Sequence, residues 1–259
     1  MKMPKMLFTI CAMLIAVSVS AQHVVAHRGM HSVEGAEPNS LAALRAAQDA
    51  NLYGVECDIN MTEDGELVVV HGPWLGEEND ADRLNIQRSD LATLRSKRLA
   101  NGEPVPTLDE FLQQVASNPD MHLYIEIKEH ATPQIESEVV RKVVAAVREY
   151  RLQGSVTYLS FRQHICNELR RLAPSDTPIA YLAGNLTPRY VEGLGYTDIC
   201  YTVETLKRRS RWIAEAKRLG LKIGVWTVNS ATDARWAEEQ GVDYVITDDP
   251  MLIRGTLAD

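Results

Sequence analysis

Two polar pairs share one spacing in otherwise apolar surroundings: Glu56-Cys57-Asp58 within GVECDINM, and Glu126-Ile127-Lys128 within HLYIEIK. Alternate side chains of a strand leave the same face, so both polar groups of each pair point one way while Cys57 and Ile127 point the other. His27 and Arg28 follow the short apolar run Val24–Ala26, and His71 follows Leu67–Val70. Three carboxylates sharing a small space repel unless a cation sits among them. With oxygen ligands and no thiolate pair, Glu56, Asp58 and Glu126 would select a hard ion, Mg2+ or Ca2+. Arg28 and Lys128 beside such an ion suit a phosphate group. Histidines on either side, His27 and His71, suit in-line displacement at phosphorus, one as base and the other as acid. Taken singly, each residue has a plainer reading: a strand-end histidine is commonly a hydrogen-bonded structural group, and an acid beside a lysine a solvated pair. Their convergence on one place is what the plainer readings explain badly.

The elements that must position them alternate. Strands are predicted at 24–26, in the first arm of a ribbon spanning 55–71, and at 122–128, 156–161, 179–182, 199–202, 222–228 and 244–247. Helices are predicted near 40–50, capped by Asn39 or Ser40, near 108–116, capped by Thr107, and near 136–150, 164–172, 188–194, 207–219 and 231–239, with a terminal turn at 251–253. The helix at 136–150 carries Val139, Val140, Val143, Val144 and Val147 on one stripe. Eight βα units of this kind predict an α/β fold, a (β/α)8 barrel with a small hairpin and insertion after the second strand. No G-x-G-x-x-G follows the first strand, which removes the dinucleotide argument for an open sheet. Barrel chemistry sits at the C-terminal ends of strands. Those positions are His27 and Arg28, Glu56 and Asp58, Glu126 and Lys128, Ser160, Trp226 and Asp248, with His71 supplied by the hairpin. Asp64-Gly65 reads as a two-residue turn, which would pair Glu63 with Glu66 and set His71 opposite Asp58 on one face. The charged stretch 74–101, with a helical turn near Leu91–Leu94, would lie over the mouth.

Composition narrows the setting. Lys2 and Lys5 precede an apolar run from Leu7 to Val19 and the small residues Ser20-Ala21, the pattern of a secretory signal peptide cut after Ala21. That run is short for a membrane span, and no later stretch is long and apolar enough to be one, so stable membrane insertion is not expected. Without residues 1–21 the chain has 25 basic against 35 acidic residues, a net charge of about −10, which makes it a poor general binder of nucleic acid. Cys57, Cys166 and Cys200 are widely spaced and odd in number, so they read as small core residues rather than a disulfide framework or zinc site. No linker or low-complexity tract divides residues 22–259, which read as one exported domain.

The motifs, in order, are HRG at 27–29, E-x-D at 56–58, T-x-D-G at 62–65, VVVH at 68–71, E-I-K at 126–128, Ser160-Phe161, V-W-T-V-N at 225–229 and ITDDP at 246–250. The set resembles the glycerophosphodiester phosphodiesterase family from Val24 to Pro250. That resemblance implies a TIM barrel that hydrolyses glycerophosphodiesters, the deacylated phospholipids, to an alcohol and sn-glycerol 3-phosphate. It implies His27 and His71 as acid and base, a divalent ion on Glu56, Asp58 and Glu126, and phosphate on Arg28 and Lys128. We expect His27 to take a proton from the nucleophile and His71 to protonate the leaving alkoxide. Trp226 is expected to pack against the carbon skeleton of the glycerol. Two positions depart from the family pattern. Glu37-Pro38-Asn39-Ser40 stands where P-E-N-T is usual, and Gly72 stands where Asp usually follows the second histidine. A phospholipase D-like barrel acting on lyso-phospholipids would need an exposed apolar rim, of which 74–101 offers little. A non-catalytic phosphodiester-binding protein would not need two proton carriers.

Overall fold

The structure is a computed structural model that describes residues 22–76, 80–118 and 120–258; the expected signal peptide at 1–21 lies outside the described residues. Its first part runs β1 (His23–Ala26), α1 (Leu41–Asp49), β2 (Gly54–Met61), β3 (Leu67–Val69), β4 (Trp74–Leu75), β5 (Leu84–Asn85), α2 (Leu91–Ser96) and α3 (Leu108–Ala116). Regular alternation follows: β6 (His122–Ile127), α4 (Pro133–Glu149), β7 (Val156–Ser160), α5 (Gln163–Leu172), β8 (Ile179–Tyr181), α6 (Pro188–Gly193) and β9 (Asp198–Thr202). The chain ends with α7 (Val203–Arg208), α8 (Arg211–Leu219), β10 (Lys222–Trp226), α9 (Ala231–Glu239), β11 (Tyr244–Thr247) and α10 (Pro250–Ala258).

Parallel pairing runs β1-β11-β10-β9-β8-β7-β6-β2, and β2 returns to β1, closing the eight-stranded barrel. The period-2 alternation sorts side chains between two cores. Val25, Tyr124, Leu159, Ala180, Leu182, Cys200, Tyr244 and Ile246 pack together inside the barrel, with Trp226 against them. The intervening residues, among them Cys57, Leu123, Ile125 and Ile127, pack outward with the helices, including the valine stripe of α4. All three cysteines of the described chain are buried and free. Sequence signals for the helix starts hold locally: at α3, Thr107 and Glu110 form a reciprocal capping box.

Three elements differ from expectation. The helix anticipated at 207–219 is two helices, because Arg209 leaves the helical region (φ −121, ψ 46). Its guanidinium donates to Gly184 O and lies over the Trp212 ring. The terminal turn is a full helix, α10, anchored by buried Ile253. The insertion is more ordered than its charge implied: β4 pairs with β5, and Val68, Leu75, Ile86, Leu94 and Val105 form a small core of their own. None of its residues lines the cavity at the barrel mouth among the described residues.

Candidate active site

β2 outruns β1. The two pair only at Gly54 and Val55, so from Glu56 onward β2 faces the turn that follows β1. In that turn Arg28 takes φ 56 and donates its main-chain N–H to Glu56 Oε2 at 2.9 Å. Gly29 takes φ +81 and lies so close to α1 that a Cβ there would meet Ala43 Cβ at 2.7 Å, which accounts for the glycine of HRG. Asn39, also left-handed and buried, donates Nδ2 to Asp58 Oδ2 at 2.8 Å and accepts Asp58 N–H at 3.1 Å. Ser40, not Asn39, caps α1.

The result is a buried acid cluster. Glu56, Asp58 and Glu126 each present an oxygen within 4.8 Å of the others. Lys128 Nζ lies 2.7 Å from Asp58 Oδ1 and 2.6 Å from Glu126 Oε1, and Arg28 Nε lies 3.2 Å from Asp58 Oδ2. Burial, then the neighbouring Asp58 and Glu126, push the Glu56 carboxyl well up. Burial also raises Glu126 to about 7 in spite of Lys128. At Asp58 burial pushes upward too, but Lys128 and Arg28 outweigh it and hold the group below its ordinary value. The cluster is therefore short of positive charge, and Glu56 Oε1 is buried with no hydrogen-bond partner among the described residues. Three hard oxygen donors with that deficit fit a divalent cation. Glu37, beside the unusual Pro38, is not part of the cluster among the described residues.

His27 Nδ1 is 2.6 Å from Asp248 Oδ1. A carboxylate accepts, so Nδ1 carries the proton, leaving Nε2, 3.9 Å from Glu56 Oε2, as the basic nitrogen. Asn229 fixes Asp248 in turn, donating Nδ2 to Oδ2 at 2.6 Å and accepting Asp248 N–H at 2.9 Å. His31 Nε2 also approaches Asp248 Oδ1, at 3.3 Å. These bonds, that from His27 foremost, hold the Asp248 carboxyl well below the usual range.

His71 reaches the site by a different register from the one expected. Ile59 pairs with Val69, and Val70 N–H donates to Asp58 O, so Val70 rather than His71 stands opposite Asp58. The loop has three residues, Glu63-Asp64-Gly65. It is closed by Gly65 N–H on Thr62 O at 3.0 Å and Thr62 N–H on Glu66 O at 2.9 Å, with Gly65 at φ +86. His71 lies one residue beyond, on the exposed rim, and still lines the cavity. Burial of its ring, and after it the charge of Lys128, lower its pKa to about 4.

That cavity, of about 230 Å3, is lined by His27, Arg28, Glu56, His71, Glu126, Lys128 and Trp226, while Asp58 lies beneath it. Trp226 donates Nε1–H to Cys200 O at 3.1 Å and meets Phe161 edge-on at 5.4 Å, so it is packed and lines the cavity at once. Ser160 is not a cavity residue; it donates Oγ–H to Ile127 O. Sequence reasoning missed the roles of Asn39, Asn229 and His31. The N of V-W-T-V-N and the first Asp of ITDDP were the only signals for the clamp on His27.

The family model described as Glycerophosphoryl diester phosphodiesterase family matches residues 27–252. A glycerophosphodiester phosphodiesterase of Caldanaerobacter subterraneus is 27% identical over 241 residues, covering 88% of this chain and 94% of its own. The crystal structure of a glycerophosphodiester phosphodiesterase from Parabacteroides distasonis is similar with a TM-score of 0.87 at 32% identity, over 92% of this chain and 97% of that one. The structure of an Oleispira antarctica phosphodiesterase in complex with the product sn-glycerol-3-phosphate shares the fold, with a TM-score of 0.80 at 21% identity, over 92% and 98% of the two chains.

Proposed function

The chain belongs to the glycerophosphoryl diester phosphodiesterase family, and from that premise we propose that it hydrolyses glycerophosphodiesters to an alcohol and sn-glycerol 3-phosphate with one divalent ion, Mg2+ or Ca2+. The observation that carries this reading is the meeting of three acids, two cations and two imidazoles at one barrel mouth. An ion held by Glu56, Asp58 and Glu126 would supply positive charge against the phosphate oxygens. Arg28, its backbone fixed on Glu56, and Lys128, fixed on Asp58 and Glu126, bind the remaining charge of the phosphate. His27 takes a proton from the nucleophile on Nε2, and Asp248 holds the tautomer and stabilises the imidazolium that forms. His71 is held neutral in the free protein. A phosphate arriving against Lys128 offsets one cause of that shift and favours the imidazolium that protonates the leaving oxygen. Trp226 covers the carbon skeleton of the glycerol.

Phosphorus NMR of glycerophosphoethanolamine, glycerophosphocholine and a lyso-phospholipid with the protein, with and without EDTA, tests the reading. Glycerol 3-phosphate from the deacylated diesters, abolished by EDTA and restored by Mg2+ or Ca2+, is the expected result. A cyclic phosphate from the lyso-lipid, or saturable binding without turnover, would replace the reading with one of its rivals.

We also propose that the protein is exported, on the strength of Lys2, Lys5 and the apolar run before Ala21. No described helix is long and apolar enough to cross a membrane. Recovery of the mature protein from a secreting host, beginning at Gln22, is the expected outcome.

A further inference from the structure

A second cavity, of about 490 Å3, adjoins the first, and His71 and Lys128 line both. The two differ in chemistry. Beyond the acids and cations, the first is walled by Trp226, Phe161, Leu159, Leu182 and Ile246. The second is walled by Asn60, Gly72, Gln87 and Glu129, and its rings are imidazole and proline only. A diester with its phosphorus beside Lys128 would place its two alcohol arms in these unlike surroundings.

Gln87 is held firmly in the wall of the second cavity. Its neighbour Ile86 is fully buried in the small core of the insertion. Its Nε2 donates to Asn60 Oδ1 at 3.0 Å and to Glu129 O at 2.8 Å, which uses both amide hydrogens. Oε1 is left as an acceptor with no hydrogen bond among the described residues. Asn60 Nδ2 passes the constraint on, donating to Val70 O at 2.8 Å and His71 O at 3.3 Å. A chain of hydrogen bonds thus links Gln87 to the backbone of His71. His130 offers a ligand nothing, since Nδ1 pairs with Lys128 O and Nε2 accepts Met61 N–H. Glu129 is mostly exposed, 3.4 Å from Arg162 Nη1, and adds a second acceptor. Acceptors without aromatic faces suit groups that donate hydrogen bonds and lack the aromatic face on which a quaternary ammonium gains most.

We infer that this cavity receives the leaving alcohol, and that Gln87 selects alcohols that donate hydrogen bonds, polyols or primary ammonium alcohols, over choline-like ones. The inference rests on the glycerophosphodiesterase reading. It is tested by kcat/KM for glycerophosphoglycerol, glycerophosphoethanolamine and glycerophosphocholine in the unaltered protein, Gln87→Leu and Gln87→Glu. The unaltered protein should prefer the first two, and Gln87→Leu should narrow that preference by about tenfold, the worth of one hydrogen bond. Gln87→Glu should favour the ethanolamine ester over the glycerol ester, which separates charge from hydroxyl recognition. Inhibition by glycerol 3-phosphate, which occupies only the other arm, should be the same in all three proteins. Preference for the choline ester, equal losses on all three esters, or weakened glycerol 3-phosphate inhibition in Gln87→Leu would overturn the inference while leaving the diesterase reading intact. No turnover of any ester would overturn that reading, and the inference with it.

Discussion

His27 Nδ1, just beyond β1, and Asp248 Oδ1, just beyond β11, lie 2.6 Å apart although 221 residues separate them in the chain. Closure of the barrel through the β1–β11 pairing makes them neighbours. Among the described residues Asp248 is not part of the acid cluster; it accepts from His27 Nδ1, which sets that ring's tautomer, and His31 Nε2 lies beside it. Asp248→Ala is therefore expected to lower kcat by on the order of 10²–10⁴ with KM little changed, as loss of a base's orienting partner does elsewhere. Asn229→Ala, which frees Asp248 without removing it, should cost less. A larger KM effect than kcat effect in Asp248→Ala would place the residue in substrate binding instead.

Ion binding should release protons. Burial raises the Glu126 pKa from 4.5 to about 7, and Glu56 moves in the same direction. A carboxyl whose folded value is raised favours the folded state most at low pH. That advantage declines as pH climbs from about 4.5 towards 7 in the ion-free protein. Mg2+ or Ca2+ must displace those protons, so affinity should tighten as pH rises from about 4.5 through 7. The Tm increase on adding the ion should likewise be larger at pH 8 than at pH 5. Calorimetric titration at several pH values reads both; pH-independent affinity over that window would remove the acid cluster as the ion site.

Trp226→Ala should raise KM more than it lowers kcat, because the indole offers the cavity an apolar face and carries no proton in the reaction. Since Nε1–H also bonds Cys200 O inside the barrel, Trp226→Phe is the useful companion, keeping a smaller apolar face while losing that bond. A drop in Tm with unchanged KM in both proteins would make Trp226 a packing residue alone.

The two histidines can be told apart by their leaving groups. A p-nitrophenyl ester of glycerol phosphate leaves without needing a proton, so His71→Ala should recover most of its activity on it. On glycerophosphoethanolamine the same protein should lose on the order of 10²–10⁴. His27→Ala should stay impaired on both esters. The opposite pattern would exchange the two roles.

Much of this architecture is written in simple periodicities. The E-x-D and E-x-K pairs share a face because strand side chains alternate, and the stripe from Val139 to Val147 marks the buried side of α4, so barrel, acids and cations were legible. What was hidden depends on contacts remote in the chain. Asp64-Gly65 is compatible with a two- or a three-residue loop. The longer one is set by Thr62, whose hydroxyl donates to Asp64 and accepts Glu66 N–H, and by Leu91 N–H donating to Asp64 from the insertion. The register therefore moved by one residue, and His71 serves the site from the rim rather than from opposite Asp58. Asn39 looked like a helix cap; its left-handed backbone, which turns it onto Asp58, has no local sequence signature.

An ion held by three buried acids is central to the proposed diester hydrolysis. The direct measurement is release of glycerol 3-phosphate from a glycerophosphodiester by EDTA-treated protein as Mg2+ or Ca2+ is restored, in the unaltered protein and in Glu56→Gln. We predict no turnover without the ion and saturable recovery with it. We predict also that Glu56→Gln, still folded by its melting profile, needs far more ion and recovers little. Full turnover in excess EDTA, or Glu56→Gln recovering at the same ion concentration and to the same rate, would contradict the account.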